Sequence, residues 1–126
     1  MILGVHHAQI TIPTGAEARA RAFYCGILGL HEIQKPENLK ERGGFWLQLP
    51  NLQVHVGTED GFDRTKTKAH IAYTVADLTA VRELLVSRGF EPQDGPPIPG
   101  CDRFECRDPF GNRVEFIQRS ISEGPG

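Results

Sequence analysis

Three imidazoles and one carboxylate carry the chemistry that this sequence offers: His7, His55, His70 and Glu115. Each falls within a short run of strand-like residues, "VHHAQITI" (5–12), "LQVHVG" (52–57), "HIAYTV" (70–75) and "RVEFIQ" (113–118). Side chains alternate across a strand with period two. Alternation sets Ala8, Ile10 and Ile12 against His7, Gln9 and Thr11, and Leu52, Val54 and Val56 against Gln53 and His55. In the later runs it sets Ile71, Tyr73 and Val75 against His70, Ala72 and Thr74, and Val114 and Phe116 against Arg113, Glu115 and Ile117. Every polar face therefore holds one potential metal ligand. Glu115 raises the sharpest question, because an acid is disfavoured in mid-strand. Either it points at water from a solvated face, or it serves a site.

Imidazole combined with carboxylate suits a borderline divalent ion: Fe, Mn, Co, Ni or Zn. With no thiolate in the set, a structural zinc site is not expected. One such ion, with open coordination positions, takes water or two substrate oxygens and stabilises the charge that develops on them. His7, His70 and Glu115 already satisfy a three-ligand site. His55 is then a fourth ligand, or a base or hydrogen-bond donor beside the metal, which makes His55 and Glu115 the candidate catalytic groups. Two further residues are pocket candidates. If Pro50-Asn51 is a two-residue hairpin loop, Trp46 and Gln48 share a face with Gln53 and His55. Trp46 then walls a pocket by the metal or packs in the core. Arg103 either holds an anionic group or sits at the surface. His6 is expected on the face opposite His7, and His31 at the surface.

The elements that must position these residues repeat. In the first half, a strand leads into a helix over 16–29, with Thr14 and Glu17 at capping-box spacing. Ala16, Ala20, Phe23, Tyr24 and Ile27 form its apolar stripe, and Gly29 suits the position just past its end. The segments "LHEI", "GFWLQL" (44–49) and "LQVHVG" follow, separated by a polar loop, "KPENLKERGG", read as solvated or as a mobile lid. In the second half, Asp77 is a plausible cap for a helix over 78–89. Leu78, Val81, Leu84 and Leu85 lie on one side of it, and Gly89 echoes Gly29. A Pro/Gly-rich loop (92–100), "DRFECRD" and "RVEFIQ" complete the order. His7 and His70 are thus repeat-equivalent, as are His55 and Glu115. The charged stretch 59–68 reads as a linker. The expected organisation is one domain over 1–121, with module one at 1–58, module two at 69–119 and a flexible tail at 120–126.

A chain of 126 residues, 39% apolar and 24% charged, is globular. A net charge of −2 with no basic cluster argues against nucleic acid. The opening "MILGV" is too short for a signal peptide and lacks a charged n-region. No run reaches membrane-spanning length, so no membrane partner is expected. The three cysteines, Cys25, Cys101 and Cys106, have no zinc-ribbon spacing and read as reduced thiols in the cytoplasm.

"HHAQITI", "ARAFYCGILGL", "AHIAYTVADL" and "DPFGNRVEFIQ" together resemble the vicinal oxygen chelate superfamily, which includes glyoxalase I, extradiol dioxygenases, fosfomycin-resistance and bleomycin-resistance proteins. The resemblance implies an α+β fold of two βαβββ modules forming a curved, partly open mixed barrel. It implies metal ligands on the first and last strands of the modules, at His7, His55, His70 and Glu115. Members usually pair, and exposed sheet edges need covering, so a homodimer is expected. The implied function is a metal-dependent enzyme acting on a small oxygen-chelating substrate. A lyase or isomerase is preferred over a dioxygenase, given the one-domain size and the lack of a further His–Tyr pair. The other reading is a metal-free protein that sequesters a small molecule, of the bleomycin-resistance type.

Overall fold

The structure is a computed structural model that describes residues 1–120; the expected tail at 120–126 lies outside the described residues from 121 onward. The chain divides into two compact units between Asp63 and Arg64, inside the charged stretch 59–68. Each unit has the order β-α-β-β-β, so the fold is α+β with two βαβββ modules.

In the first unit, strand β1 (His7–Ile12) leads into helix α1 (Glu17–Arg21), which widens into a π-helix (Ala22–Ile27). Strands β2 (His31–Ile33), β3 (Phe45–Gln48) and β4 (Gln53–Thr58) follow. Their order in the sheet is β1-β4-β3-β2, with β1 parallel to β4 and the other pairs antiparallel. The sheet is not closed on itself. Phe45, Leu47, Val54 and Val56 alternate inward and are at most 2% exposed. The wider π turn brings the sequence neighbours Phe23 and Tyr24 both into this core, their rings edge to face at 4.8 Å. The Gly29 amide donates to the Cys25 carbonyl, and the left-handed φ of +75° at Gly29 ends the helix as its spacing suggested.

The capping box does not form. The Thr14 hydroxyl donates to Asp60 at 2.5 Å, and the Glu17 carboxylate accepts the Gly44 amide at 3.0 Å. Both local partners were lost to distant ones, leaving Ala16 at the cap position without a side-chain bond. The Gly44 amide also holds the Glu17 carboxyl below the usual carboxylate range. The stretch 59–68 is likewise no bare linker. Asp60 is tied to Thr14, Arg64 is buried, and Thr65 packs against Gly111.

The second unit contains β5 (His70–Thr74), helix α2 (Leu78–Ser87), β6 (Gln93–Asp94), β7 (Cys101–Arg107) and β8 (Arg113–Arg119), ordered β5-β8-β7-β6 in an open sheet. β5 runs parallel to β8, and the other pairs are antiparallel. The Asp77 side chain accepts the Ala80 amide at 3.1 Å, capping α2 as expected. Leu85 is fully buried, but Leu84 is 36% exposed at the edge of the stripe. Strand β6 lies inside the loop 92–100, where Gly and Pro hide so short a pairing from period-two reading. The turn before β8 is held by buried Asp108, whose Oδ1 accepts the amides of Phe110 and Asn112. Among the described residues, no helix is long and apolar enough to cross a membrane.

Candidate functional site

Each unit builds its own cluster. In the first, parallel pairing sets Gln53 opposite His7 and His55 opposite Gln9, while the Pro50-Asn51 hairpin sets Trp46 opposite His55. Three rings stack as a result. Trp46 lies on His55 with centroids 3.8 Å apart and planes 2° apart, and His55 lies on His7 at 4.1 Å and 11°. His55 is only 6% exposed. Burial pushes its pKa below the ordinary histidine value, and the neighbouring His7 and His6 rings push it the same way.

A chain of side-chain amides fixes the His55 tautomer. The Gln48 amide donates to the Leu49 carbonyl at 2.7 Å, and the Gln53 amide donates to Gln48 Oε1 at 3.3 Å. Gln53 Oε1 therefore accepts from His55 Nε2 at 2.9 Å, which leaves a lone pair on His55 Nδ1. His6 departs from expectation. Its ring turns edge-on to His7, with the two Nδ1 atoms 2.9 Å apart.

In the second unit, β5 and β8 set Ala72 opposite Glu115 and bring His70 Nε2 to 2.9 Å from Glu115 Oε1. Glu115 is 4% exposed, so it does not point at water. Its other oxygen meets Arg103 Nη1 at 3.3 Å. Arg103 also donates to the Pro96 carbonyl at 2.7 Å, tying the Pro/Gly loop to the cluster. Arg103 is thus no free surface residue, and the anion it meets here is Glu115 itself. Glu105 stands directly across from Glu115 and is ion-paired with Arg113, so each of these facing carboxylates has its own guanidinium.

The donor atoms suit a divalent ion. His70 Nδ1 donates to the Lys68 carbonyl at 2.8 Å, so in the neutral ring Nε2 bears a lone pair aimed at a carboxylate oxygen. Two acceptors at that distance need a proton or a cation with them. A backbone carbonyl on the far nitrogen is also the usual support of a metal-binding histidine. Among the described residues, no three His, Cys, Asp or Glu side chains stand together as a ready-made metal site. The structure brings the candidates together in pairs: His7 with His55, and His70 with Glu115.

A cavity of about 330 Å³ opens beside the ring stack, lined by His55 and Trp46, by Gln9 and Thr58, and by Lys35 and Arg42 of the loop 35–44. Trp46 therefore walls a pocket and is only partly buried. The sequence reading did not single out Lys35, Arg42 or the orienting role of Gln53. Their polarity was legible, but their place beside His55 was not.

A family model described as the Glyoxalase/Bleomycin resistance protein/Dioxygenase superfamily matches residues 4–116. None of the curated proteins matches the chain. Among solved structures, a proposed glyoxalase family protein from Bacillus anthracis is 41% identical, with a TM-score of 0.87 over 95% of this chain and 98% of that one. At 17% identity, the fosfomycin resistance protein FosX from Listeria monocytogenes, a mutant crystallised with Mn(II) and 1S,2S-dihydroxypropylphosphonic acid, shares the fold. Its TM-score is 0.78, covering 96% of this chain and 95% of that one. A glyoxalase/dioxygenase from Nostoc punctiforme, 18% identical, has a TM-score of 0.77 over 94% and 92%.

Proposed function

This chain belongs to the Glyoxalase/Bleomycin resistance protein/Dioxygenase superfamily, and on that premise we propose that it is a metal-dependent enzyme acting on a small substrate with adjacent oxygens. The candidate ligands are His7 and His55 in the first unit and His70 and Glu115 in the second. The ion is divalent: Fe, Mn, Co, Ni or Zn. The observation that carries this reading is the pair of facing acceptors, His70 Nε2 and Glu115 Oε1, with the far nitrogen of His70 held by a carbonyl. Mn(II) in the FosX neighbour supports a divalent ion within this fold.

A divalent cation supplies Lewis acidity toward substrate oxygens. The chain's own residues supply the rest. Gln53 holds His55 with a single free lone pair, on Nδ1, and burial favours the neutral ring, so His55 serves either as a ligand to the ion or, standing beside it, as the base that takes a substrate proton. Arg103 fixes the orientation of the Glu115 carboxylate, and Trp46 excludes water from one side of His55. A base at His55 serves either chemistry; the one-domain size and the lack of a further His–Tyr pair in the sequence favour a lyase or isomerase over oxygen insertion. The assembly we propose is a homodimer, since β1, β2, β5 and β6 are sheet edges and the apolar Met1, Ile2 and Leu3 are exposed. Three free cysteines support a cytoplasmic location.

The test is metal analysis of tag-free protein, followed by loading with Ni²⁺, Co²⁺, Zn²⁺, Mn²⁺ or anaerobic Fe²⁺. Each form is offered 2-oxoaldehyde–thiol adducts and catechols. Oxygen uptake with catechols, in the iron or manganese form only, would replace the lyase or isomerase reading with a dioxygenase. A second reading, metal-free sequestration of a small molecule, draws on the aromatic-walled cavity beside His55. Tight binding of an aromatic drug by metal-free protein, with no turnover by any loaded form, would establish it instead.

A further inference from the structure

We propose that the cavity beside His55 is an oxyanion subsite, in which Lys35 and Arg42 receive a phosphate, phosphonate or carboxylate group of the substrate. The inference rests on the substrate-binding reading above and names the class of substrate. Lys35 and Arg42 are both among the lining residues, while no aspartate or glutamate is. Glu17, tied to the Gly44 amide, is not part of the lining either. A cavity lined by two cationic side chains and no acid favours a negative guest.

The geometry assigns the two cations different parts. The Lys35 ammonium donates to the carbonyls of Arg42 and Gly43, the latter at 3.3 Å. Two of its three protons are thereby spent on folding the loop back, and one remains. Among the described residues, the Arg42 guanidinium makes no hydrogen bond or ion pair, and Arg42 is exposed at the rim. It therefore offers its planar fork to a guest without giving up an existing partner. The Gln9 amide and the Thr58 hydroxyl add neutral donors to the lining. Room for Gln9 depends on Gly57, where a Cβ would come within 3.0 Å of Gln9 Nε2. About 330 Å³ is at the small end for ligand cavities, which fits a compact anion with a short carbon skeleton. With the anion held at the loop, the rest of that skeleton lies against Trp46 and His55, whose stacked rings form the adjoining wall.

Trp46 is the only tryptophan, so its fluorescence reports directly on the cavity. Metal-free full-length protein is titrated with inorganic phosphate and, separately, with acetate. Ionic strength is held constant with chloride, and calorimetry runs in parallel. Saturable phosphate binding that perturbs Trp46 is expected, and Arg42→Gln should weaken it by at least about tenfold, the usual loss for a charge-assisted contact. Arg42→Lys should fall between the two. Saturation by acetate with the same dependence on Arg42 would assign the subsite to a carboxylate. Absence of saturable binding of either anion, or binding that is unchanged in Arg42→Gln and Arg42→Lys, overturns the proposal. Because no metal is present, this result is independent of the metal reading. Arg42-dependent phosphate binding in a chain that takes up no divalent ion would sink only the enzyme proposal, and the converse would sink only the subsite.

Discussion

His70 and Glu115 face each other through two atoms that both bear lone pairs when the ring is neutral. Nε2 and Oε1 are 2.9 Å apart, and the Lys68 carbonyl holds the proton on Nδ1. A protonated ring or a bound cation resolves this conflict, and the two differ in their response to mutation. Glu115→Gln keeps the shape of the side chain and removes its charge. Divalent-ion affinity, read by calorimetry with Mn²⁺, should fall more than about 100-fold, beyond what losing a supporting residue costs. Undiminished affinity would remove Glu115 from the ligand set.

The His55 environment gives a pH signature. The folded ring has a lower pKa than the ordinary 6.5. As pH falls through 6.5, the unfolded chain takes a proton that the folded ring refuses, so stability drops across that window until the folded pKa is reached. Denaturation midpoints between pH 7.5 and 5.5 should fall less in His55→Gln than in the parent. An equal fall in both would refute the assignment.

Gly44 adopts φ +92°, and a Cβ there would lie 1.9 Å from the Val56 carbonyl oxygen. Its amide also holds Glu17. Gly44→Ala should cost about 3 kcal/mol or more in urea denaturation, since strain and a backbone clash combine. The cavity should deform with it, because Gly43 and Arg42 share the loop.

The Cys106 thiol, 2% exposed, is pushed up to about 12 by burial, with Asp108 and Glu105 adding to the shift. Below pH 9 both states hold the proton and the residue is neutral toward stability. Above it the unfolded thiol ionises and the folded one does not, so stability falls from about pH 9 to about 12. A disulfide reagent on native protein should modify Cys25 and Cys101, which are partly exposed, before Cys106. Cys106→Ala should lessen the alkaline loss, and early labelling of Cys106 would contradict its burial.

The Tyr73 hydroxyl is buried with no hydrogen-bond partner among the described residues, and burial raises its pKa. Tyr73→Phe removes an unsatisfied group while keeping the ring. The variant should be as stable as the parent, or more stable by about 1 kcal/mol. A loss of more than that in thermal unfolding would mean the hydroxyl has a partner in solution.

Much of this molecule was legible in local pattern. Period-two alternation put His7, His55, His70 and Glu115 on the polar faces of their strands, because a strand allows a side chain only two directions. Parallel pairing of the first and last strands in each unit then set His7 by His55 and His70 by Glu115. The Asp77 cap, the Gly29 helix end and the Pro50-Asn51 hairpin are likewise set by neighbours within a few residues. The tertiary structure decided which partner each polar group takes. Thr14 and Glu17 looked like a local cap, yet they bind Asp60 and Gly44, 46 and 27 residues away. Arg103 read as an anion-holding pocket residue or as surface, yet the partners it takes are Glu115 and the Pro96 carbonyl. The loop 35–44 looked like solvated chain, yet Lys35 and Arg42 line the cavity beside His55. The physical reason is the same in each case. Backbone geometry sets the direction of a side chain within a turn or a strand, whereas its hydrogen-bond partner depends on which distant segment packs close enough to compete with water and with local donors.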